Sequence, residues 1–273
     1  MSSENDSSGV LGKKVFFLYP SAVVQNEIVQ ELIQQEFEVY VAKDHGALQR
    51  VLKQFPDSLV LADIDEGISE KDWELWIRGV MGNQSTKEVK IGVLSSSKDE
   101  ELQKKYLNDL KVACGYTVLK KDISIPIRQI LEILKTADAK GRRKYLRATM
   151  EDGAPTVVNM PYNNSFIKGT IKDISTVGFS ASFEGDPELP KNSLFQDIQI
   201  KLQSVLLKVE GIVFGSRMDE IHKTYVILFT QRIDPSVRSR IRKYIQQTFQ
   251  IKMDAMLKQS NLRQPGSESP SSP

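Results

Sequence analysis

The sequence is poor in the side chains that build most reactive sites. It holds one cysteine, Cys114, and two histidines, His45 and His222, in 273 residues. A single thiol excludes a disulfide framework and suits a reducing compartment, so a cytoplasmic protein is expected. The histidines fall in different halves of the chain with no cysteine pair beside either, which leaves no zinc-ligand spacing. Cys114, just before a predicted strand, reads as a packing residue. Charge of one sign is also lacking. The 37 Lys and Arg nearly balance the 35 Asp and Glu, for a formal net charge of +2, so any basic site has to be local. The longest apolar runs, such as Val15–Tyr19, fall far short of the ~20 residues that span a bilayer. The opening MSSENDSSGVLGKK lacks the apolar core of a secretory signal. No Walker A loop or nucleophile elbow occurs. Neither an enzyme, a metal site nor a cofactor is expected.

What is present suits two modest domains. Hydrophobic residues make up 40% and charged residues 26%, ordinary for a globular chain. Residues 1–12 and 260–273 are polar tails rich in Ser, Gly and Pro, and are expected to be disordered. Between residues 13 and 138 short apolar runs alternate with helical periodicity. Strands are predicted at Val15–Tyr19, Glu38–Ala42, Leu59–Ile64, Val89–Leu94 and Tyr116–Leu119. Helices are predicted around Val24–Ile33, with Ser21 as cap, then Leu48–Phe55, Glu70–Met81 and Asp99–Asn108, and from Pro126 onward. Trp73 and Trp76 on the third helix read as core or lid aromatics. Five βα units imply a parallel sheet covered on both faces.

The texture changes in TADAKGRRKYLRATMEDGAP, a polar, basic, Gly-containing joint. Residues 139–259 then show strand signals without intervening helices: Val157–Met160, Phe166–Asp173, Phe179–Phe183, Asp197–Leu202, Val205–Phe214 and Thr224–Thr230. Asn163-Asn164 and Asp186-Pro187 mark turns. A six-stranded antiparallel barrel is expected. A helix from Ser236 to about Leu257 follows, with Val237, Ile241, Tyr244, Ile245 and Phe249 on one stripe. That stripe can cap the barrel or meet another chain, so monomer and homodimer both remain open.

The chemistry concentrates at the joint and the first long strand. Arg143 and Arg147 form an RxxxR spacing with Arg142 alongside. Asp173, Ser175 and Gly178 follow in DISTVGF as DxSxxG. In this order, with these strands around them, the two motifs over residues 141–250 resemble the PilZ family. The resemblance implies a site for cyclic di-GMP on the barrel's outer surface. Guanidinium groups bind phosphate bidentately and stack on bases. Asp173 can accept from a guanine edge, Ser175 can bond locally or to the ligand, and Gly178 allows a special backbone angle and close approach of the ligand. The resemblance also implies that Arg142, preceding RxxxR, stands at the family position that influences whether one or two stacked ligand molecules bind. The implied role is a non-enzymatic receptor whose ordered joint alters a surface read by an unidentified protein partner, in motility, virulence or related signalling.

Residues 13–136 resemble the receiver domains of response regulators. Asp63 in LVLADID matches the phosphoacceptor, Ser95 the Ser/Thr that ends the fourth strand, and Lys120 or Lys121 the lysine that ends the fifth. The acidic pair after the first strand is replaced by Tyr19-Pro20-Ser21. Phosphotransfer needs a divalent ion to neutralise the phosphoryl oxygens, and Asp63 with Asp65 is a poor cage. A pseudo-receiver with a vestigial Asp63 is therefore expected. The alternatives are a phosphorylation-dependent response regulator and a nucleic-acid-binding protein that uses the basic joint on an OB-like barrel. The phosphorylation reading lacks its acidic pair, and the nucleic-acid reading lacks a basic stripe along the strands. Neither nucleic-acid binding nor membrane insertion is expected.

Overall fold

The computed structural model describes residues 12–142, 144–150, 156–219 and 222–262. The chain divides into two compact units. One runs to Lys144 and takes in the segment from Gln250 onward; the other is Tyr145–Phe249.

The first unit is a parallel five-stranded sheet. Its strands are β1 (Val15–Leu18), β2 (Val39–Ala42), β3 (Leu59–Asp63), β4 (Lys90–Ser95) and β5 (Tyr116–Val118), in the order β2-β1-β3-β4-β5. The order is that of a doubly wound sheet. The helices between strands are α1 (Gln30–Gln34), α2 (His45–Leu52), α3 (Glu70–Gly82), α4 (Glu100–Lys104) and α5 (Ser124–Thr136). Wide π turns, Val24–Val29 and Lys105–Asp109, adjoin α1 and α4. Val15, Phe17, Leu59 and Leu61 share a core with Ile28, Leu32, Ile130 and Leu134. The alternation of strand side chains turns Phe16 and Leu18 to the other face. Both faces are therefore apolar, which is why these strands read as continuous hydrophobic runs. Asp44, Ser69 and Asp99 cap α2, α3 and α4 through their side chains. Ser21 precedes the first helical segment and its carbonyl accepts from the Gln25 N–H at 2.9 Å, while its amide donates to Asp63 Oδ2 at 2.9 Å.

The second unit holds β6 (Arg147–Thr149), β7 (Val157–Tyr162), β8 (Ser165–Ser175), β9 (Gly178–Phe183), β10 (Leu194–Leu202), β11 (Val205–Met218) and β12 (Lys223–Phe229). The order β8-β7-β10-β11-β12-β9 closes on itself through a β8–β9 pairing. That closure is the expected six-stranded antiparallel barrel. The short β6 adds to β8 beyond the end of β7; it is three residues long, with no apolar alternation to announce it. Asn163 and Asn164 both have positive φ, 49° and 64°, as the tight β7–β8 turn demands.

Helix α6 (Pro235–Leu262) follows the barrel. Its first half packs on the barrel core through Ile241 and Ile245, with Val237, Tyr244 and Phe249 alongside. Its second half belongs to the first unit. Val41, on the edge strand β2, donates its N–H to Gln250 Oε1 at 3.0 Å, and Gln250 Nε2 donates to the Val41 carbonyl at 2.9 Å. The amide imitates a neighbouring strand and satisfies an exposed sheet edge. Met253 and Leu257 are buried there. Periodicity shows which face of the helix is apolar but not what lies beneath it.

Because Gln250 satisfies both backbone groups of one edge residue, Gln250→Leu is expected to cost about 1–3 kcal/mol. Denaturant unfolding of the full chain checks it, and unchanged stability would remove the amide's edge-capping role.

Candidate functional site: the outer face of the barrel

Strand β8 builds the site by breaking its own alternation. Its pairing with β9 slips between Ile171 and Asp173, a bulge that adds one residue and re-aims the next. Ile171 and Ile174 are both fully buried, three positions apart where a regular strand allows two. Asp173 is thereby turned outward, its side chain 20% exposed. Across β6, Arg147 stands with its side chain 54% exposed and Nη1 3.8 Å from Asp173 Oδ1. On the other flank Ser180 donates to Asp173 Oδ2. The carboxylate is thus fixed by a strand neighbour, while its arginine partner is loosely held. An exposed ion pair of this kind is worth about 0–1 kcal/mol, so an anionic ligand can draw the guanidinium away at small cost.

Ser175 and Gly178 frame the two-residue turn between β8 and β9. Ser175 is buried; its Oγ donates to the Gly178 carbonyl at 3.1 Å and accepts from the Val177 N–H at 3.4 Å. Of its two expected roles the structure shows the local one, holding the turn. Gly178 does not adopt a positive φ, which corrects the expectation of a special backbone angle. Its lack of a side chain answers to space. A Cβ there would collide with the Ile227 carbonyl and lie 3.0 Å from Leu228 Cα. The close approach is to β12 of its own barrel.

Arg142 is exposed, just after Gly141 in the left-handed region. Arg143 lies outside the described residues. The described structure thus brings Arg147, Asp173, Ser175 and Gly178 together. Ser180 is the functional residue that sequence reasoning missed. Its signal was the alternation in GFSASF, which places Gly178, Ser180 and Ser182 on one face of β9.

The corresponding place in the first unit is closed. Asp63 ends β3 at 1% exposure. Its Oδ2 accepts from Ser21, while its Oδ1 has no hydrogen-bond partner among the described residues. Burial raises the carboxyl above the ordinary aspartate range, and the charge of Asp65 adds to the shift. Ser95 does not face Asp63: its Oγ donates to Asp65 Oδ1 at 2.6 Å, and the Ser96 amide and hydroxyl bond Asp65 Oδ2 at 2.6 and 2.7 Å. Lys120 and Lys121 are exposed and bond neither carboxylate. Tyr19 follows β1, where receivers carry acidic residues. It has φ 51°, lies against Gly67, bonds His45 Nδ1 at 3.1 Å and meets Trp73 edge-on at 5.8 Å. Trp73 and Trp76 are both buried, donating to the carbonyls of Glu66 and His45. Among the described residues no group of three or more His, Cys, Asp or Glu is placed to hold a metal ion. Burial also pushes the Cys114 thiol up to about 11, consistent with a packing residue.

No protein-family model and no curated protein matches the chain. Among solved structures, the chain is similar to YcgR of Escherichia coli in complex with c-di-GMP (17% identity, 45% of this chain and 52% of that one, TM-score 0.38). It is also similar to the MrkH–c-di-GMP complex of K. pneumonia (18%, 45% and 56%, TM-score 0.35). A third is the Mn(2+)-bound response regulator Rcp1 (20%, 44% and 91%, TM-score 0.36). The match spans about half the length of YcgR and of MrkH. At these identities and scores the likeness carries no statement about function.

Two stability effects follow from the geometry. Gly178→Ala is expected to destabilise the barrel by about 1–3 kcal/mol through overpacking against β12, read by thermal or denaturant melting; a neutral substitution would contradict the close approach. Asp63 has its pKa raised on folding, so the folded state binds its proton more tightly than the unfolded one. The buried charge therefore opposes folding at neutral pH, and the penalty fades as pH falls through the raised pKa. Asp63→Asn is expected to raise the melting temperature at pH 7, with the gain shrinking towards pH 4; a loss at pH 7 would contradict the assignment.

Proposed function

We propose that this chain is a cyclic di-GMP receptor without catalytic activity, binding its ligand on the outer face of the barrel at β6, β8 and β9. One observation carries the reading. A carboxylate, Asp173, is turned outward by a bulge and fixed by Ser180, beside a loosely held guanidinium, Arg147, over a floor of Gly178 and Ser180. Each element matches a part of the ligand. The phosphodiesters take Arg147, with Arg142 and Arg143 on the joint as further cations. Asp173 accepts from the N1–H and N2–H₂ edge of a guanine, donors that adenine does not present together. Ser180 serves by fixing the Asp173 carboxylate. Ser175 serves by holding the turn. Cyclic di-GMP is also the ligand in the YcgR and MrkH complexes.

The ligand acts on the segment that leads from one unit into the other, since Arg147 opens β6 directly after the joint. A ligand shifts such a segment only through its differential affinity for two arrangements. Its ordering on the barrel supplies that difference, and the altered surface is read by a protein partner in the cytoplasm. The first unit is a scaffold for contacts and is not phosphorylated: Tyr19 fills the place of the acidic pair, and Ser95 is committed to Asp65.

Calorimetry on the full chain is expected to show saturable binding of cyclic di-GMP and none of cyclic di-AMP or GTP. Arg147→Ala is expected to weaken it by about 10- to 100-fold, from a lost charge-assisted phosphate contact, and to flatten its salt dependence. A folded protein that binds no cyclic di-GMP, or binds equally after Arg147→Ala, contradicts the site. Labelling by acetyl phosphate that disappears in Asp63→Asn would overturn the pseudo-receiver assignment.

A further inference from the structure

The strand register extends the site beyond the two motifs. Arg147, Ser175, Gly178, Leu228, Ile212 and Leu194 stand in one cross-strand row, on β6, β8, β9, β12, β11 and β10. Directly opposed residues of an antiparallel ladder project to the same face. The row therefore begins with a cation and ends in three aliphatic side chains. All three are solvent-accessible, Leu228 and Ile212 at 37% and Leu194 at 51%. The next row is Asp173, Ser180, Val226 and Gly215. Gly178 and Ser180, both buried, thus form the floor between the Arg147–Asp173 pair on one side and Leu228 on the other.

Leu228 meets that floor directly: its Cδ2 lies 3.2 Å from where a Gly178 Cβ would stand. β8 and β12 flank β9, so their side chains rise about 10 Å apart, two strand spacings. A purine has a hydrogen-bonding edge and an apolar face, and this arrangement offers a partner for each.

We propose that Leu228, with Ile212 behind it, is the apolar flank against which one purine ring of the ligand packs. The inference rests on the receptor reading above and adds two residues that neither motif contains. With its edge towards Asp173, the ring removes Leu228 from water, and that burial favours binding without any charge. Leu194, at the far end of the row, is too distant to take part and serves as an internal control.

The test is calorimetry with cyclic di-GMP on the full-length protein carrying Leu228→Ser, Leu228→Met or Leu194→Ser. Leu228→Ser is expected to weaken binding about ten-fold by loss of apolar contact. Leu228→Met is expected to stay within about two-fold, as a volume-conserving change, and Leu194→Ser to bind as the unaltered protein. The salt dependence of Leu228→Ser is expected to equal that of the unaltered protein, whereas Arg147→Ala flattens it. Melting curves establish that each variant is folded, and Leu228→Ala replaces Leu228→Ser if the latter is not. Unaltered protein that binds while Leu228→Ser binds equally well overturns this inference alone. A salt dependence flattened as in Arg147→Ala also overturns it, because Leu228 would then act by positioning the arginine. Unaltered protein that does not bind overturns the receptor reading and the inference with it.

Discussion

The barrel site depends on one irregularity, the bulge between Ile171 and Asp173 in β8. A regular strand cannot place Ile171 and Ile174 both in the core, since alternation sends positions three apart to opposite faces. The extra residue lets both side chains be buried and turns Asp173 outward between Ser180 and Arg147. The core holds the irregularity in place, because straightening the strand would expose an isoleucine or bury a carboxylate. Closure of the barrel by the β8–β9 pairing then fixes where β9 lies. Gly178 lets β9 lie tightly on β12, where a Cβ would meet the Ile227 carbonyl.

The first unit shows the same physics with the opposite result. A carboxylate also stands at a strand end there, but it is enclosed. Tyr19 follows β1 and meets Trp73 edge-on, Trp73 in turn meets Trp76, and Ser95 is bonded to Asp65. Burial raises the pKa of Asp63 and leaves one of its oxygens without a partner among the described residues. A phosphoacceptor needs a solvated, metal-neutralised oxygen, and the enclosure works against both. The unit keeps the strand order of a doubly wound sheet while the strand-end chemistry is sealed.

Much of this was legible in the sequence, because the signals were local. Hydrophobic runs gave the five parallel strands, and Asn163-Asn164 gave the tight turn. Arg147 of RxxxR and the DxSxxG motif lie where β6 and the β8–β9 turn converge. Other features were hidden because they arise between distant residues. β6 is three residues with no apolar pattern and exists only as an addition to β8. The bulge follows from what the core accepts. The need for Gly178 comes from the Ile227 carbonyl on β12, about fifty residues further on. Gln250 caps the β2 edge from 209 positions away, which no periodicity in α6 could indicate. Ser180 could have been found, since alternation in β9 places it beside Gly178.

Hydrogen exchange on the full-length chain, with and without cyclic di-GMP, tests the central claim most directly. Amides paired in ligand-ordered structure exchange more slowly in proportion to the stability gained. The account predicts slowed exchange in residues 144–149 and 173–180, with the parallel sheet around Asp63 little changed. Binding that leaves these segments unaltered and protects another surface would contradict it.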